Sequence, residues 1–389
     1  MSHIYGLDES AQKLAAEAAK IAKEVAAPHA AEVDEKARPP KESLAALAKA
    51  GFYGLCVPTN LGGKGQGPRT FAAVVEELSQ ACGSTAMIYL MHVTAAQAIA
   101  ASPIFPGKDA LLKEIAAGKH LTTLALSEKG SRSNFWAPVS QLKRDGNGWH
   151  TTAEKSWVTA ASEADSYVAS AQMPDAKSPV ETTCYLVRKG AKGVHVKGTF
   201  TGMGLRGNDS APVTIEGLEV TPADLLSDHG AGIKTKLEVV LPWFSIGTAA
   251  MSNGLCRAAI AATSAHLSGT HFKVGADQAL RDLQNLRFRI ADMSLRTEQS
   301  RALLGYTLGL LEKPSEITPL YVLHTRAAAI ETATYVTDLA MKACGGAAYS
   351  KHLSVDRIFR DAQAGWVMAP TSDHLHDFIG KALTGLPLM

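Results

Sequence analysis

Cysteine is scarce and unpatterned in this sequence. The five residues, Cys56, Cys82, Cys184, Cys256 and Cys344, are odd in number and widely spaced, which excludes a disulfide framework. No CxxC pair and no Cys/His ligand spacing occurs, so no structural zinc site is expected. Apolar contexts such as GLCVP and NGLCRAA point to buried free thiols in a reducing compartment. An excess of one charge sign is missing too: 39 Lys+Arg stand against 37 Asp+Glu, a formal net charge of +2. Nothing there argues for nucleic acid or an anionic membrane as partner. The most apolar passage, VVLPWFSIGTAAM, contains Pro242 and reads as too short to span a bilayer. The beginning, MSHIYGLDESAQKLAAEAAK, is charged and helical in pattern, without the apolar core of a signal peptide, so a cytoplasmic location is expected. Internal repeats and low-complexity tracts are absent.

What is present is an ordinary globular composition, 46% hydrophobic and 20% charged, over 389 residues. That length is long for one core, so two or three domains are expected. Residues 8–36 carry apolar side chains at helical spacing, with Asp8 or Ser10 as candidate caps. A second helix follows Arg38-Pro39-Pro40 and ends near Gly51. Further helical patterns run over 69–80, 84–101 and 109–117. Between Leu121 and about Asp228 the pattern changes to alternating, β-branched and aromatic runs broken by Asp-Gly, Lys-Gly and Gly-Asn turns, which reads as a small antiparallel β domain. Long Ala-rich helices return over 237–268, 278–312, 317–344 and 371–383. The reading is therefore α+β: an all-α domain over 1–120, a β domain over 121–230 and a helical bundle over 231–389.

Within the β region, Ser127 to Thr159 is the stretch around which the rest is arranged. In an extended strand alternate side chains share a face, so Trp157 and Thr159 are expected on one side: an indole for a planar ring, a hydroxyl for a ring nitrogen. Ahead of them Ser127, Gly130, Ser131 and Ser133 form a small-residue loop whose amides can approach a phosphate. Half-buried sheet packing is the alternative reading of the same Trp and Thr.

The runs LALSEKGSRSN, KSWVTAASEADSYV, GMGLRGNDSAPVTIEGLEVTPADLL and ACGGAAYSKHLSVDRIFRDAQ, in that order, resemble the acyl-CoA dehydrogenase family of flavoproteins. The resemblance spans nearly the whole chain. It implies an α, β, α architecture with a C-terminal four-helix bundle, FAD as cofactor, and a homo-oligomer, in the family's usual form a tetramer. It also implies an acyl-CoA thioester as substrate and an electron-transfer flavoprotein or a flavin reductase as redox partner. By position, Leu126, Ser127, Glu128 and Ser133 fall in the family's T-E-P-x-A-G-S-D run, which touches flavin and thioester. Lys129, Ser131, Arg132 and Asn134 depart from that run. Trp157 and Thr159 match the pair that lies along the flavin ring. Gly345 and Gly346, otherwise a plain helix stop, match the pair that admits a neighbouring subunit's FAD. Thr371 and Asp373, otherwise an N-cap and first turn, match positions bracketing the same cofactor. Phe272 falls in the R-x-x-F-G motif, read here as G-T-H-F-K, with Gly269 at the phosphate-binding Arg and Lys273 or Arg281 as substitutes. Arg360-Asp361 is expected to be an ion pair tying down the loop before the last helix.

Two departures bear on chemistry. Counted from Arg360, the family's Y-E-G-T-S run reads M-A-P-T-S, so Met368 takes the substrate-facing Tyr position and Ala369 the place of the Glu base. The base position used by other members falls near Phe244, with their coenzyme-binding Arg near Ser245. What remains ionisable near the expected pocket is His92, Asp373, His374 and His376. His92, on a helix that borders the family's substrate cavity, and His374 are the candidate proton carriers, although a lone His on an Ala-rich helix also fits plain packing. The leading expectation is α,β-dehydrogenation of an acyl thioester with hydride passing to flavin N5. A flavin-dependent monooxygenase on the same fold and a non-catalytic flavin-binding member are the alternatives.

Overall fold

The computed structural model describes residues 3–273 and 278–388. Helix α1 (Glu9–Ile21) starts at Asp8, whose carboxylate accepts from the Ala11 amide at 2.7 Å. The single helix expected over 8–36 is interrupted, because Ala22–Ala26 take the wider π form before α2 (Ala27–Glu35). Pro28 has no N–H for the preceding turn, and a wider turn there forfeits least. Helices α3 (Lys41–Lys49), α4 (Pro68–Ala81), α5 (Gly83–Ala100) and α6 (Lys108–Ala116) follow. Almost every side chain of α5 is buried, and it packs on α4 and on the first strand, so it forms the spine of this half.

Seven strands come next: β1 (Thr122–Ala125), β2 (Lys143–Asp145), β3 (Gly148–Val158), β4 (Ser166–Gln172), β5 (Thr182–Arg188), β6 (Val194–Val196) and β7 (Ala211–Val220). They form two sheets, ordered β1-β4-β5 and β2-β3-β7-β6. The expectation of an all-antiparallel domain needs one correction: β1 pairs with β4 in parallel, Thr122 opposite Ser166. The chain leaves β1, builds β2 and β3 in the other sheet, and only then returns, and so long a crossover permits a parallel pair. Ala153, Tyr167, Tyr185, Val213 and Ile215 fill the space between the sheets.

The C-terminal third holds α7 (Gly232–Lys234), a π stretch at Thr235–Val240, α8 (Leu241–Gly269), α9 (Gln284–Glu312), α10 (Thr318–Cys344), α11 (Gly346–Tyr349), α12 (Val355–Ala362), α13 (Ala364–Val367) and α14 (Ser372–Thr384). Here again the π turn precedes a proline, Pro242. Helices α8, α9, α10 and α14 form the bundle, with α10 packed on the other three. Contrary to the reading of its apolar passage as too short, Gly232–Gly269 is long and apolar enough to cross a membrane; 72% of its most apolar window is buried inside the molecule, as in a core helix.

Buried ion pairs join the two helical parts. Glu76 of α4 accepts from Arg257 at 2.7 Å and Arg301 at 3.0 Å, and also from the Tyr5 hydroxyl. The ion pair expected within Arg360-Asp361 is not formed. Arg360 instead grips both oxygens of Asp34, at 2.8 and 2.5 Å, while Asp361 accepts from the Leu205 amide at 2.6 Å. Consecutive helical side chains point about 100° apart, so the two serve different neighbours.

Candidate functional site

The loop after β1 is organised from beneath by Glu128. Its carboxylate is buried and accepts from the Val139 amide (2.7 Å), the Ser140 amide (2.8 Å) and hydroxyl (2.5 Å), and Lys155 Nζ (2.6 Å). Burial raises its pKa, but Lys155 and the Ser140 donors outweigh burial and leave it below the usual carboxylate value. Glu128 therefore points into the sheet, where it folds the loop rather than meeting a ligand. Above it Gly130, Arg132 and Ser133 have positive φ, and Ser127 and Ser133 are half-buried at the surface. Leu126 is buried beneath the same loop.

The strand geometry at Trp157 and Thr159 differs from simple alternation. β3 and β7 shift register between Lys155 and Val158, and Trp157 takes φ 54. The extra residue breaks the shared face. Thr159 is buried, its hydroxyl 3.4 Å from that of Ser210, whereas the Trp157 indole is 57% exposed and stacks on Phe200 at 4.0 Å between centroids. One broad face of the indole is thus fixed by Phe200.

His92 does not have the free imidazole a proton carrier needs. It is fully buried on α5, Nε2 donates to the Tyr53 carbonyl at 3.1 Å, and Nδ1 accepts from the Thr122 amide at 3.1 Å. Burial lowers its pKa to about 4, so the ring stays neutral and serves packing. His374 lies elsewhere, at the start of α14. Its amide donates to the Thr371 hydroxyl, the N-cap, and its ring meets the edge of Trp136 at 5.5 Å between centroids. Asp373 is exposed in the same first turn, and His376 pairs outward with Glu331 at 2.5 Å.

Three residues that sequence reasoning missed converge on this region. Trp136 is buried between His374 and Phe378. Its carbonyl accepts from Lys236 Nζ at 2.8 Å, and Lys236, at full burial in the π stretch, has its pKa pushed down to about 8 by desolvation. Arg326 of α10 is also fully buried; Nη2 donates to the Met368 carbonyl at 2.9 Å, and the guanidinium lies over the Phe244 ring at 4.7 Å. A signal for Arg326 was available: Val322, Arg326, Ile330 and Ala333 share the buried stripe of α10, so a cation sits in an apolar row. Met368 and Ala369 are half-buried just before α14.

Across the bundle, Gly345 ends α10 at φ 54 and ψ −133, a backbone state that requires glycine. A side chain at either Gly345 or Gly346 would meet nothing within 4 Å, so both backbones lie open. An open groove of about 700 Å³ runs between α8 and α9, lined by Leu267, Ser268, Arg281 and Arg287 among others. Phe272, 39% exposed, lies in the loop between these two helices, and Gly269 leaves open space where a phosphate-binding side chain was expected. Among the described residues no cluster of three His, Cys, Asp or Glu could hold a metal ion.

Comparison with known proteins agrees with the sequence resemblance. Sequence models of the acyl-CoA dehydrogenase N-terminal, middle and C-terminal domains match residues 8–119, 123–218 and 230–384. A cyclohex-1-ene-1-carbonyl-CoA dehydrogenase of Geobacter metallireducens is 29% identical, covering 92% of this chain and 93% of its own. A probable acyl-CoA dehydrogenase of Bacillus subtilis is 28% identical over 91% and 92%. In structure, butyryl-CoA dehydrogenase from Megasphaera elsdenii superimposes with a TM-score of 0.91 at 22% identity, covering 97% of this chain and 99% of that one. With all three of its domains matched in order and the fold reproduced end to end, the chain belongs to the acyl-CoA dehydrogenase family.

Proposed function

We propose that this chain is an FAD-dependent oxidoreductase acting on an acyl thioester, built from three domains divided near residues 120 and 230. The observation that carries this reading is Trp157. An indole 57% exposed, pinned by Phe200 on a strand bulge, offers a flat apolar face that the sheet does not use. Bound there, FAD would supply the two-electron acceptor for a carbon–hydrogen bond of the substrate. Ser127, Ser133 and Thr159 border the ring position. The open backbone at Gly345-Gly346, with Phe272 and Arg281 along the groove, suits the cofactor's remote half, shared with a second subunit.

The chain's own residues set the protonation problem. Neither Ala369 nor Phe244 can take a proton from the α-carbon, and His92 is committed to two backbone groups. His374 is the remaining candidate base in the cluster. Its Nδ1 lies 3.2 Å from the Thr371 hydroxyl, and the ring is oriented by Trp136 and Phe378. Met368 lines the acyl side. Electrons would leave to an electron-transfer flavoprotein. The missing carboxylate favours a second reading, in which a flavin reductase supplies reduced flavin and the chain is a monooxygenase. A cytoplasmic homotetramer is the assembly consistent with either.

The test is anaerobic mixing of the purified yellow protein with acyl-CoA thioesters of several chain lengths. Bleaching of the flavin absorbance with at least one thioester is expected, and Trp157→Ala should weaken flavin retention. If no thioester bleaches the flavin, while oxygen is consumed only with added flavin reductase, the monooxygenase reading replaces the first.

A further inference from the structure

Among the described residues, Arg326 is a cation without a counter-ion. It is fully buried, and among the described residues its Nε and Nη1 find no acceptor and no carboxylate pairs with it. The Met368 carbonyl takes one of its five N–H groups, and the Phe244 ring covers one face of the guanidinium. An ionised group taken from water without a partner is among the most unfavourable things a core can hold. Lys155, equally buried, is answered by Glu128 at 2.6 Å, whereas Lys236, like Arg326, donates to a carbonyl, that of Trp136 at 2.8 Å. Neutralisation is no escape either, since burial lowers the guanidinium pKa only to about 9, leaving it charged at neutral pH.

The position of this charge is informative. The carbonyl it holds belongs to the residue before Ala369, and the ring it covers is Phe244, so one guanidinium adjoins both places where relatives by resemblance carry their base. The fold therefore holds, at this point of the interior, a positive charge with unpartnered in-plane donors where a carboxylate would otherwise sit. A planar fork of that kind matches a carboxylate of the ligand. We propose that Arg326 binds a carboxylate on the acyl chain, so that the preferred ligand is the monothioester of a short dicarboxylic acid rather than of a simple fatty acid. This rests on the acyl-thioester reading given above and narrows it to a substrate class. Arg326 would then set specificity, and the ligand itself would complete the ion pair that the fold leaves open.

The experiment compares succinyl-CoA and glutaryl-CoA with butyryl-CoA and pentanoyl-CoA, titrated into the flavin-loaded protein and followed by flavin absorbance. At least tenfold tighter binding of the two acids is expected. Arg326→Met should bring acids and neutral thioesters to parity and raise the Tm of the unliganded protein by removing the unpaired charge. Arg326→Lys should keep part of the preference. If Arg326 merely clamps the Met368 carbonyl, Arg326→Met lowers the Tm and the wild type shows no preference for acids. Parity in the wild type overturns the proposal while leaving thioester binding intact, whether or not the Met variant folds. Should no thioester bind, free glutarate is the probe: a rise in wild-type Tm that is reduced in Arg326→Lys and lost in Arg326→Met upholds the anion site although the thioester reading has failed, and no rise ends both.

Discussion

His92 and Asp361 are buried, and they pull the acid limb of stability in opposite directions. His92 has its pKa lowered by burial to about 4, so between that value and its ordinary 6.5 the unfolded chain binds the extra proton. Its contribution is lost as pH falls through that window, by about 3 kcal/mol at 1.36 kcal/mol per pKa unit. His120 and Asp165 also act on it, with opposite signs. Asp361 has its pKa raised by burial to about 6, against the Leu205 amide and Arg357 and Arg360, which lower it. There the folded chain holds the extra proton, so stability is gained as pH falls from 6 towards 3.8, again by about 3 kcal/mol. The two slopes nearly cancel between pH 6 and 4. Asp361→Asn keeps an acceptor for the Leu205 amide and removes one slope, so urea unfolding should show this variant losing about 3 kcal/mol more than wild type between pH 6.5 and 4. Equal pH profiles in the two proteins would contradict the raised pKa of Asp361. Neither role was legible in the sequence. An imidazole in an Ala-rich helix looks the same whether its nitrogens are free or, as here, bonded to backbone of Tyr53 and Thr122, far along the chain.

Elements were more legible than side-chain directions. The helices of both α regions follow from apolar spacing alone, because a 3.6-residue period survives small errors at the ends. Strand β3 was legible too, but not the face of Trp157: one extra residue in a bulge reverses alternation, and no pattern in KSWVT announces it. The segment from α12 to α14 raises a similar question. Restoring the family's carboxylate by Ala369→Glu places an acid next to the carbonyl that Arg326 holds. The new carboxylate would meet a guanidinium lacking a counter-ion, so it should pair rather than wait as a base. A paired carboxylate has a lowered pKa and accepts a proton poorly. The expected outcome is that Ala369→Glu alone raises the Tm and abolishes any preference for acidic acyl groups, with little gain in thioester oxidation. Adding Arg326→Met should free the carboxylate and raise anaerobic flavin reduction by roughly a hundredfold or more, the usual scale of general-base catalysis. Equal rates in the single and double variants would show that residue 369 does not face the reacting carbon.

At the scale of the whole molecule, the bundle leaves a face uncovered. Phe288, Leu295 and Tyr306 of α9 are 64%, 65% and 53% exposed. At 100° per residue they fall within about 20° of one line along the helix, an apolar stripe on the side turned from the core. Such a stripe on a long helix is more than scattered surface hydrophobicity and calls for a covering partner. The groove with Arg281 and Arg287 lies between the same helix and α8, and Gly345-Gly346 lies open at the end of α10. In the proposed assembly a second copy would cover α9 and share these openings with its cofactor, which would tie flavin retention to assembly. The three-part order of the chain was visible in its sequence because each part has its own period; a homo-oligomer was expected from the apolar bundle helices, but not which of their faces is exposed, since an apolar stripe turned outward reads like one facing the core. Leu295→Glu places a charge at the middle of the stripe without touching Trp157, Thr159 or the loop after β1. It should shift the proposed tetramer towards smaller species in light scattering at micromolar concentration, and lower flavin content in the same fractions. A monomer that keeps its full flavin would show that one chain completes the cofactor site, and the opening at Gly345-Gly346 would then need another explanation.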